Sequence, residues 1–488
     1  MIKERSRYHF VYQAILAQIE QGQLAPGDSL PTAQQLCRQY GVGITTIRRV
    51  LRMLETSQVI SCVKGRPALV IGLPGGDEPQ DSIELLAERG EALLDLCDCI
   101  CYLYPGLVME GAARWRAGGG SVLELTRKAE HDAALSSTAY WTRSVIDKLL
   151  GTLKNPILDS LRLKLRLWVG LLSMVFHDHP CPEMEIGDLR AAFYQIAASL
   201  DAPDAEDAPL RIMRFYRMSY RTLKRHLEGM TCGRIPMHSI EFTWSGNGGR
   251  LHLYMDLALK LIEQMANGQL RDGELLPSLA QMAQQYQVSE ITARKALAYL
   301  NELGVARTIN GKGTQVTFAA CRQLAPPYDH PALREGVINH LYTLQILALT
   351  CPDIFAQAVA AAPASARAEA GRLAQDNAFM ENDANPVTWW HTFILRYTAS
   401  PGLRTIYKQL LHMLQWGQFL LLYRYIPEQA LRTRQLYQPV MSCIASGDVQ
   451  GVGPAAAAYY CYVMESVRES LPHDLAADCP YLICPDKI

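Results

Sequence analysis

The sequence predicts a mainly α-helical chain in which two winged helix-turn-helix domains alternate with two all-helical bundles. Three observations carry that expectation: an internal repeat, a helix–turn–helix–hairpin order within each copy, and the apolar, helical character of the segment behind each copy. The chain has 488 residues, room for several domains at roughly 100–200 residues each. Its 49% hydrophobic and 19% charged composition excludes a disordered, collagen-like or coiled-coil chain. With a net charge of −1, no global field draws the protein to nucleic acid or acidic lipid. A nucleic-acid role therefore needs a local basic surface.

The repeat runs from Gly22-Gln-Leu-Ala-Pro-Gly27-Asp-Ser-Leu-Pro31 to Gly268-Gln-Leu-Arg-Asp-Gly273-Glu-Leu-Leu-Pro277, at an offset of 246. It continues without a gap through Tyr40/Tyr286, Thr46/Thr292, Arg48/Arg294, Leu54/Leu300 and Gly65/Gly311. Between positions 22 and 54, 14 of 33 aligned pairs are identical. Weaker correspondence links Asn155-Pro-Ile-Leu158 to Ser400-Pro-Gly-Leu403, and Ala197–Asp201 to Ile444–Asp448. The expected domains are residues 1–73 (winged, first copy), 82–228 (helical), 250–318 (winged, second copy) and 330–488 (helical). Turn formers cluster between them.

In the first winged unit, Tyr8, Val11, Tyr12, Ile15, Leu16 and Ile19 form a helical stripe ended by Gly22. Thr32 can cap the next helix with Gln35 as its capping-box partner, and Ser278 with Gln281 repeats the device. A short helix reaches Tyr40, a tight turn comes next, and a third helix runs from Ile44 to Glu55. Ser289 can cap its counterpart. Alternating strands around a glycine turn then close each copy: Val59–Val63 with Ala68–Ile71, and Val305–Ile309 with Thr314–Phe318. Such a unit lays its third helix in the DNA major groove.

Tyr…Gly-x-Leu-x-x-Gly-x-x-Leu-Pro-[Ser/Thr]…Thr-x-Arg…Leu…Leu, with a Gly-x-Gly-Thr wing in the second copy, resembles the DNA-binding domain of the GntR regulators. The resemblance covers about 65 residues in each copy. It implies a cytoplasmic DNA-binding transcription regulator whose winged domains answer to helical sensors. In the helical units, Asn155-Pro-Ile-Leu158 and Ser446-Gly-Asp448 before an Ala-rich last helix are similar to the all-helical effector domain of the FadR-like subgroup. Many such domains hold a metal through Asp-x-x-x-His and two later histidines. Here Val387 stands four residues before His391 and Tyr437-Gln438 replaces a later His, so no metal and no cofactor is expected.

Affinity for DNA needs cations aimed at phosphates, and specificity needs side chains that reach base edges. Residues 1–73 hold nine Lys and Arg against four Asp and Glu; residues 250–318 hold seven against six. The DNA-contact candidates are Arg38, Thr45, Thr46, Arg48, Arg49, Arg52, Lys64 and Arg66 in the first copy. In the second they are Thr292, Arg294, Lys295 and Lys312. Gln34, Ala280, Ile44 and Glu290 stand where the resembled family usually carries Arg, which leaves Arg48 and Arg294 as the shared contact.

For an effector, Trp390, His391, Arg396, Tyr397 and Arg424 supply aromatics and cations in the second bundle. Arg214 and Arg217 do so in the first, beside Arg114, Trp115 and Arg116. Arginine there suits an anionic metabolite such as a carboxylate. Thirteen irregularly spaced cysteines read as reduced thiols. The N-terminal residues have no apolar signal core, and no apolar run reaches the ~20 residues that span a bilayer. The expected partners are double-stranded DNA and a small-molecule effector, without a membrane. Two reader–sensor modules in one chain make an internal pseudo-dimer, with further homodimerisation left open. GxSxG, HExxH and paired-carboxylate motifs are absent, which argues against an enzyme. The alternative is a winged-helix protein that has become a protein-interaction or dimerisation module without sequence-specific DNA binding.

Overall fold

A computed structural model shows a predominantly helical chain with two short hairpins. The structure describes all residues except 1–10, 13–14, 16–17, 20–23, 25–26, 41, 57–58, 64–66, 72–78, 132–137, 179–185, 203–206, 232–241, 245–252, 267, 320–325, 377–378, 380–383, 424–426, 480–481 and 483–488. The chain divides into two compact units, residues 1–249 with 400–405, and residues 250–399 with 406–488.

The first unit begins with the winged domain: α1 (Ala33–Tyr40), α2 (Ile44–Thr56), β1 (Ile60–Ser61) and β2 (Leu69–Val70). Thr32 N–H donates to Gln35 Oε1 (2.8 Å) and Gln35 N–H to Thr32 Oγ1 (3.3 Å), the expected capping box before α1. The wing is shorter than the alternating pattern suggests: Ile60 pairs with Val70 and Ser61 with Leu69, while Ser29 adds an isolated bridge to Leu69.

Six helices come next: α3 (Pro79–Ala117), α4 (Val122–His131), α5 (Thr138–Gly151), α6 (Pro156–Asp178), α7 (Ile186–Asp201) and α8 (Ala208–Thr231). Leu93, Leu103 and Leu107 of α3, Val145 of α5, Leu161 and Trp168 of α6, Phe193 of α7 and Ile212 of α8 are buried in its core. Asn155 is buried and caps α6, its Oδ1 accepting from the Ile157 and Leu158 amides at 3.1 Å. Asp201 caps α4, accepting from Ser121 Oγ (2.7 Å) and the amides of Val122 (2.8 Å) and Leu123 (2.9 Å). Arg162 is almost buried and bridges Asp147 (2.9 Å) and Asp159 (2.8 Å), so its charge is compensated twice.

The second unit repeats this order. Its winged part is α9 (Leu253–Ala266), α10 (Leu279–Tyr286), α11 (Glu290–Glu302), β3 (Ala306–Ile309) and β4 (Gly313–Val316). The helical part is α12 (Pro331–Ala361), α13 (Ala364–Ala374), α14 (Ala384–Tyr397), α15 (Pro401–Met413), α16 (Gln415–Tyr423), α17 (Pro427–Ser446), α18 (Val452–Ser470) and α19 (His473–Ala477). Ser400 reproduces the cap of Asn155, with Leu403 N–H donating to its Oγ at 3.0 Å. The winged part is joined to its bundle. Helix α9 packs against α16, Asp256 meets His412 (3.1 Å), Glu263 accepts from Gln415 (3.2 Å), and the Tyr423 hydroxyl donates to the Leu303 carbonyl.

By length and composition, Gly90–Ala117 of α3 and Leu333–Ala361 of α12 would reach across a bilayer. This corrects the expectation that no apolar segment is long enough: scattered polar residues interrupt the apolar run in the sequence, yet each helix keeps a mean hydropathy of 1.5 over its most apolar window. Within the protein, 56% and 67% of these windows are buried, as befits the central helix of a bundle rather than a lipid-facing one. The nine described cysteines are free.

Ser289 caps α11 by accepting from the Thr292 amide (3.1 Å). Ser289→Ala is expected to destabilise the second winged domain by ~1 kcal/mol, whereas Ser289→Gly costs only a few tenths. Thermal melts of the two variants check this, and equal losses would refute the capping role.

Candidate nucleic-acid interface

The chemistry of the winged domains depends on which side of each third helix is buried. In α2 the core takes Ile47, Val50 and Leu54, at helical spacing i, i+3, i+7. That leaves Thr45, Arg48, Arg49 and Arg52 exposed and Thr46 half-buried on the outward side. Arg38 of α1 is also exposed. Arg49, Arg52, Met53 and Thr56 flank an open concavity of about 600 Å³. The wing-tip candidates Lys64 and Arg66 lie outside the described residues.

In the second copy the structure describes each element from α9 to β4. Ser278 and Gln281 form the capping box of α10, and Gln287 ends that helix in the left-handed conformation (φ 53°). Helix α11 buries Ala293, Ala296, Tyr299 and Leu300. It exposes Glu290, Ile291, Arg294 and Lys295, with Thr292 half-buried. Asn301 holds the wing to this helix, donating to Thr308 Oγ1 (2.8 Å) and accepting from the Thr308 amide (2.9 Å). Lys312 is exposed in the wing turn between Gly311 (φ 75°) and Gly313 (φ 114°), both in the region that favours glycine.

In both copies the described arginine and lysine candidates are exposed on the side of the third helix away from its buried stripe, or in the wing turn. The copies differ in electrostatics. Three arginines line the outer face of α2, and its only carboxylate, Glu55, sits at the far end near the Cys62 amide (3.3 Å). On α11, Glu290 stands one helical turn before Arg294. Ile291 is 67% exposed, an apolar side chain of the kind that meets a thymine methyl in a major groove.

The effector candidates do not assemble into one set. Trp390 is fully buried, edge-on to Tyr437 and Tyr459. His391 Nε2 and the Tyr460 hydroxyl lie 2.8 Å apart, and burial pulls the His391 pKa down to about 3. Arg396 is exposed over the ring of Tyr397 (5.7 Å). Arg424 lies outside the described residues, and Arg214 and Arg217 stand exposed on α8 in the other compact unit. Arg114, Trp115 and Arg116 hold the end of α3, bonding Glu110 (2.7 Å), the Ser121 carbonyl (3.3 Å) and the Ala202 carbonyl (3.0 Å). Among the described residues no group of three His, Cys, Asp or Glu side chains is placed to hold a metal. Sequence reasoning passes over His340 of α12, which is buried against Gly417 of α16 and whose pKa burial lowers to about 4. A single histidine in an apolar helix gives no periodic signal.

The fold defines a chain with two winged helix-turn-helix domains. Comparison with known proteins matches the family described as "Bacterial regulatory proteins, gntR family" at residues 7–70 and again at 253–316. Each match falls on one of the two winged domains. The chain is 37% identical over 68 residues to the mannosyl-D-glycerate transport/metabolism system repressor MngR of Escherichia coli, covering 14% of this chain and 28% of that one. It is 38% identical over 89 residues to the HTH-type transcriptional regulator SmoD of Agrobacterium fabrum, covering 18% and 38%. The chain thus spans well under half the length of these relatives. Among solved structures, Streptococcus agalactiae GntR aligns with 44% of this chain and 99% of its own at 14% identity and a TM-score of 0.21. E. coli McbR/YncC aligns with 45% and 98%, at 18% identity and a TM-score of 0.19.

Proposed function

We propose that the chain is a DNA-binding transcription regulator of GntR type that carries two reader domains and two sensor domains. The helical units act as FadR-like effector domains that answer to a small anionic metabolite, and the two modules act as an internal pseudo-dimer on an asymmetric operator. The observation that carries the DNA reading is the cationic outer face of α2, where Arg48, Arg49 and Arg52 stand opposite the buried Ile47–Val50–Leu54 stripe. Docking of the second winged part onto its bundle through α9 and α16 supports a mechanical link from sensor to reader.

Footprinting of the full chain on genomic duplex fragments, with and without cell metabolites, tests this. The expected result is a salt-sensitive, asymmetric footprint that a metabolite fraction weakens or strengthens. Binding that is absent at low salt would overturn the DNA reading in favour of a protein-interaction module. A footprint indifferent to every metabolite fraction would overturn the sensor role alone.

A further inference from the structure

Helix α8 carries a charge pattern that its place in the fold does not require. From Ala208 to Arg225 it contains Arg211, Arg214, Arg217, Arg221, Lys224 and Arg225 and no carboxylate, and a single Glu228 follows towards its end. Ala208, Ile212, Phe215, Thr222 and Leu223 are buried and form one face. Arg214, Arg217, Arg221, Lys224 and Arg225 are exposed and recur every three or four residues on the opposite face. At 1.5 Å per residue the row is ~16 Å long. Arg211, nearer the helix start, approaches Asp207 at 3.7 Å. Arg217 leans on Tyr102, 3.5 Å from its hydroxyl, and Asp98 on the same helix as Tyr102 lies near enough to interact with it. Among the described residues, Arg214 and Arg221 have no ion-pair partner.

The duplication supplies an internal control. Helix α18 has the same role in the second unit, packing along α12 as α8 packs along α3. It holds one cation, Arg468, with Glu465 and Glu469. The bundle therefore closes without a cationic outer face. A solvated helix face ordinarily mixes both signs, and a single-sign row of five is a source of local field.

We propose that α8 is a second, sequence-independent DNA contact, whose cationic row takes phosphates of the duplex beyond the base pairs read by the winged domains. The inference rests on the DNA-binding role argued above. A linear polyanion with one charge per ~1.7 Å of axis matches a straight row of evenly spaced cations. A lipid surface fits less well, because a membrane-seeking helix presents a broad apolar face beside its cations, whereas among the described residues of α8 Ile212, Phe215 and Leu223 are buried and Leu210 is the one exposed large apolar side chain.

The test compares the full wild-type chain with an Arg214→Gln/Arg217→Gln/Arg221→Gln/Lys224→Gln variant. Each is titrated by fluorescence anisotropy against the footprinted duplex, cut to the footprint or extended by a helical turn or more on each side. The variant is expected to bind the extended duplex ~10–100-fold more weakly at low salt, with a log K against log salt slope shallower by ~3. Its base preference and its binding to the trimmed duplex stay as in the wild type. An Arg214→Lys/Arg217→Lys/Arg221→Lys variant keeps the charge and is expected to keep the slope, which separates electrostatics from misfolding. An unchanged slope and no dependence on flank length in a folded glutamine variant would overturn the proposal while leaving the DNA reading intact. So would wild-type-only binding to polyglutamate or phosphatidylserine vesicles with DNA binding unaltered. A wild-type chain that binds no duplex overturns the DNA reading itself, and this contact with it.

Discussion

Arg48→Ala is expected to weaken operator binding by ~10–100-fold, since one good base-edge or paired phosphate interaction is worth ~1–3 kcal/mol. Arg48 stands on the exposed side of α2, three residues after Thr45 and four before Arg52, so it is centred on the face that enters a major groove. Its neighbours there are cations, and no carboxylate beside it on that face neutralises its charge before DNA arrives. Arg294, its counterpart, stands one turn after Glu290. A carboxylate near the phosphates is repulsive, so Glu290, exposed on the same helix, offsets part of the attraction that Arg294 brings. Arg294→Ala is therefore expected to cost only a fewfold. Anisotropy titrations at fixed salt on one operator duplex check the ranking. Equal losses would show that the two winged domains contribute evenly, and a larger loss from Arg294 would reverse the ranking.

The equivalence of the two winged domains is legible in the sequence because local chemistry repeats at a fixed offset. Thr32 with Gln35 and Ser278 with Gln281 close the same two hydrogen bonds, and Asn155 and Ser400 cap equivalent helices. Caps, turns and buried stripes depend on residues within one or two helical turns, which a linear reading can see. The wing lengths are less legible, since Ser29 and Leu275 each contribute a bridge from a distant loop to Leu69 and Gln315. The basic row of α8 is a different case. Composition groups Arg214 and Arg217 with nearby aromatics as a ligand pocket, but Phe215 turns inward while the arginines turn outward. Neighbours in the chain are parted by helical phase.

Helix packing across the bundle leaves the least trace in the sequence, and the strongest stability effect is expected at one such seam. Gly453 of α18 lies against Pro352 of α12, where an added Cβ would sit 2.4 Å from the proline Cα, 2.8 Å from its carbonyl oxygen and 3.0 Å from its carbonyl carbon. All three are backbone atoms of a helix interior, so no side-chain rotation relieves the clash. Cys351 Sγ reaches the Gly453 carbonyl at 3.6 Å, which ties the same seam from the other side. Gly453→Ala is expected to cost ~2 kcal/mol and Gly453→Val ~3 kcal/mol or more, the upper range for overpacking. Helix propensity alone predicts the opposite, since alanine is favoured over glycine by up to ~1 kcal/mol within a helix. Gly90 of α3 has open space within 4 Å of the place a Cβ would take, and Gly90→Ala is expected to be neutral or mildly stabilising. Thermal or denaturant melts of the two alanine variants should therefore move in opposite directions. If Gly453→Ala melts with or above the wild type, α12 and α18 can part by several tenths of an ångström and the seam is looser than its backbone contacts imply.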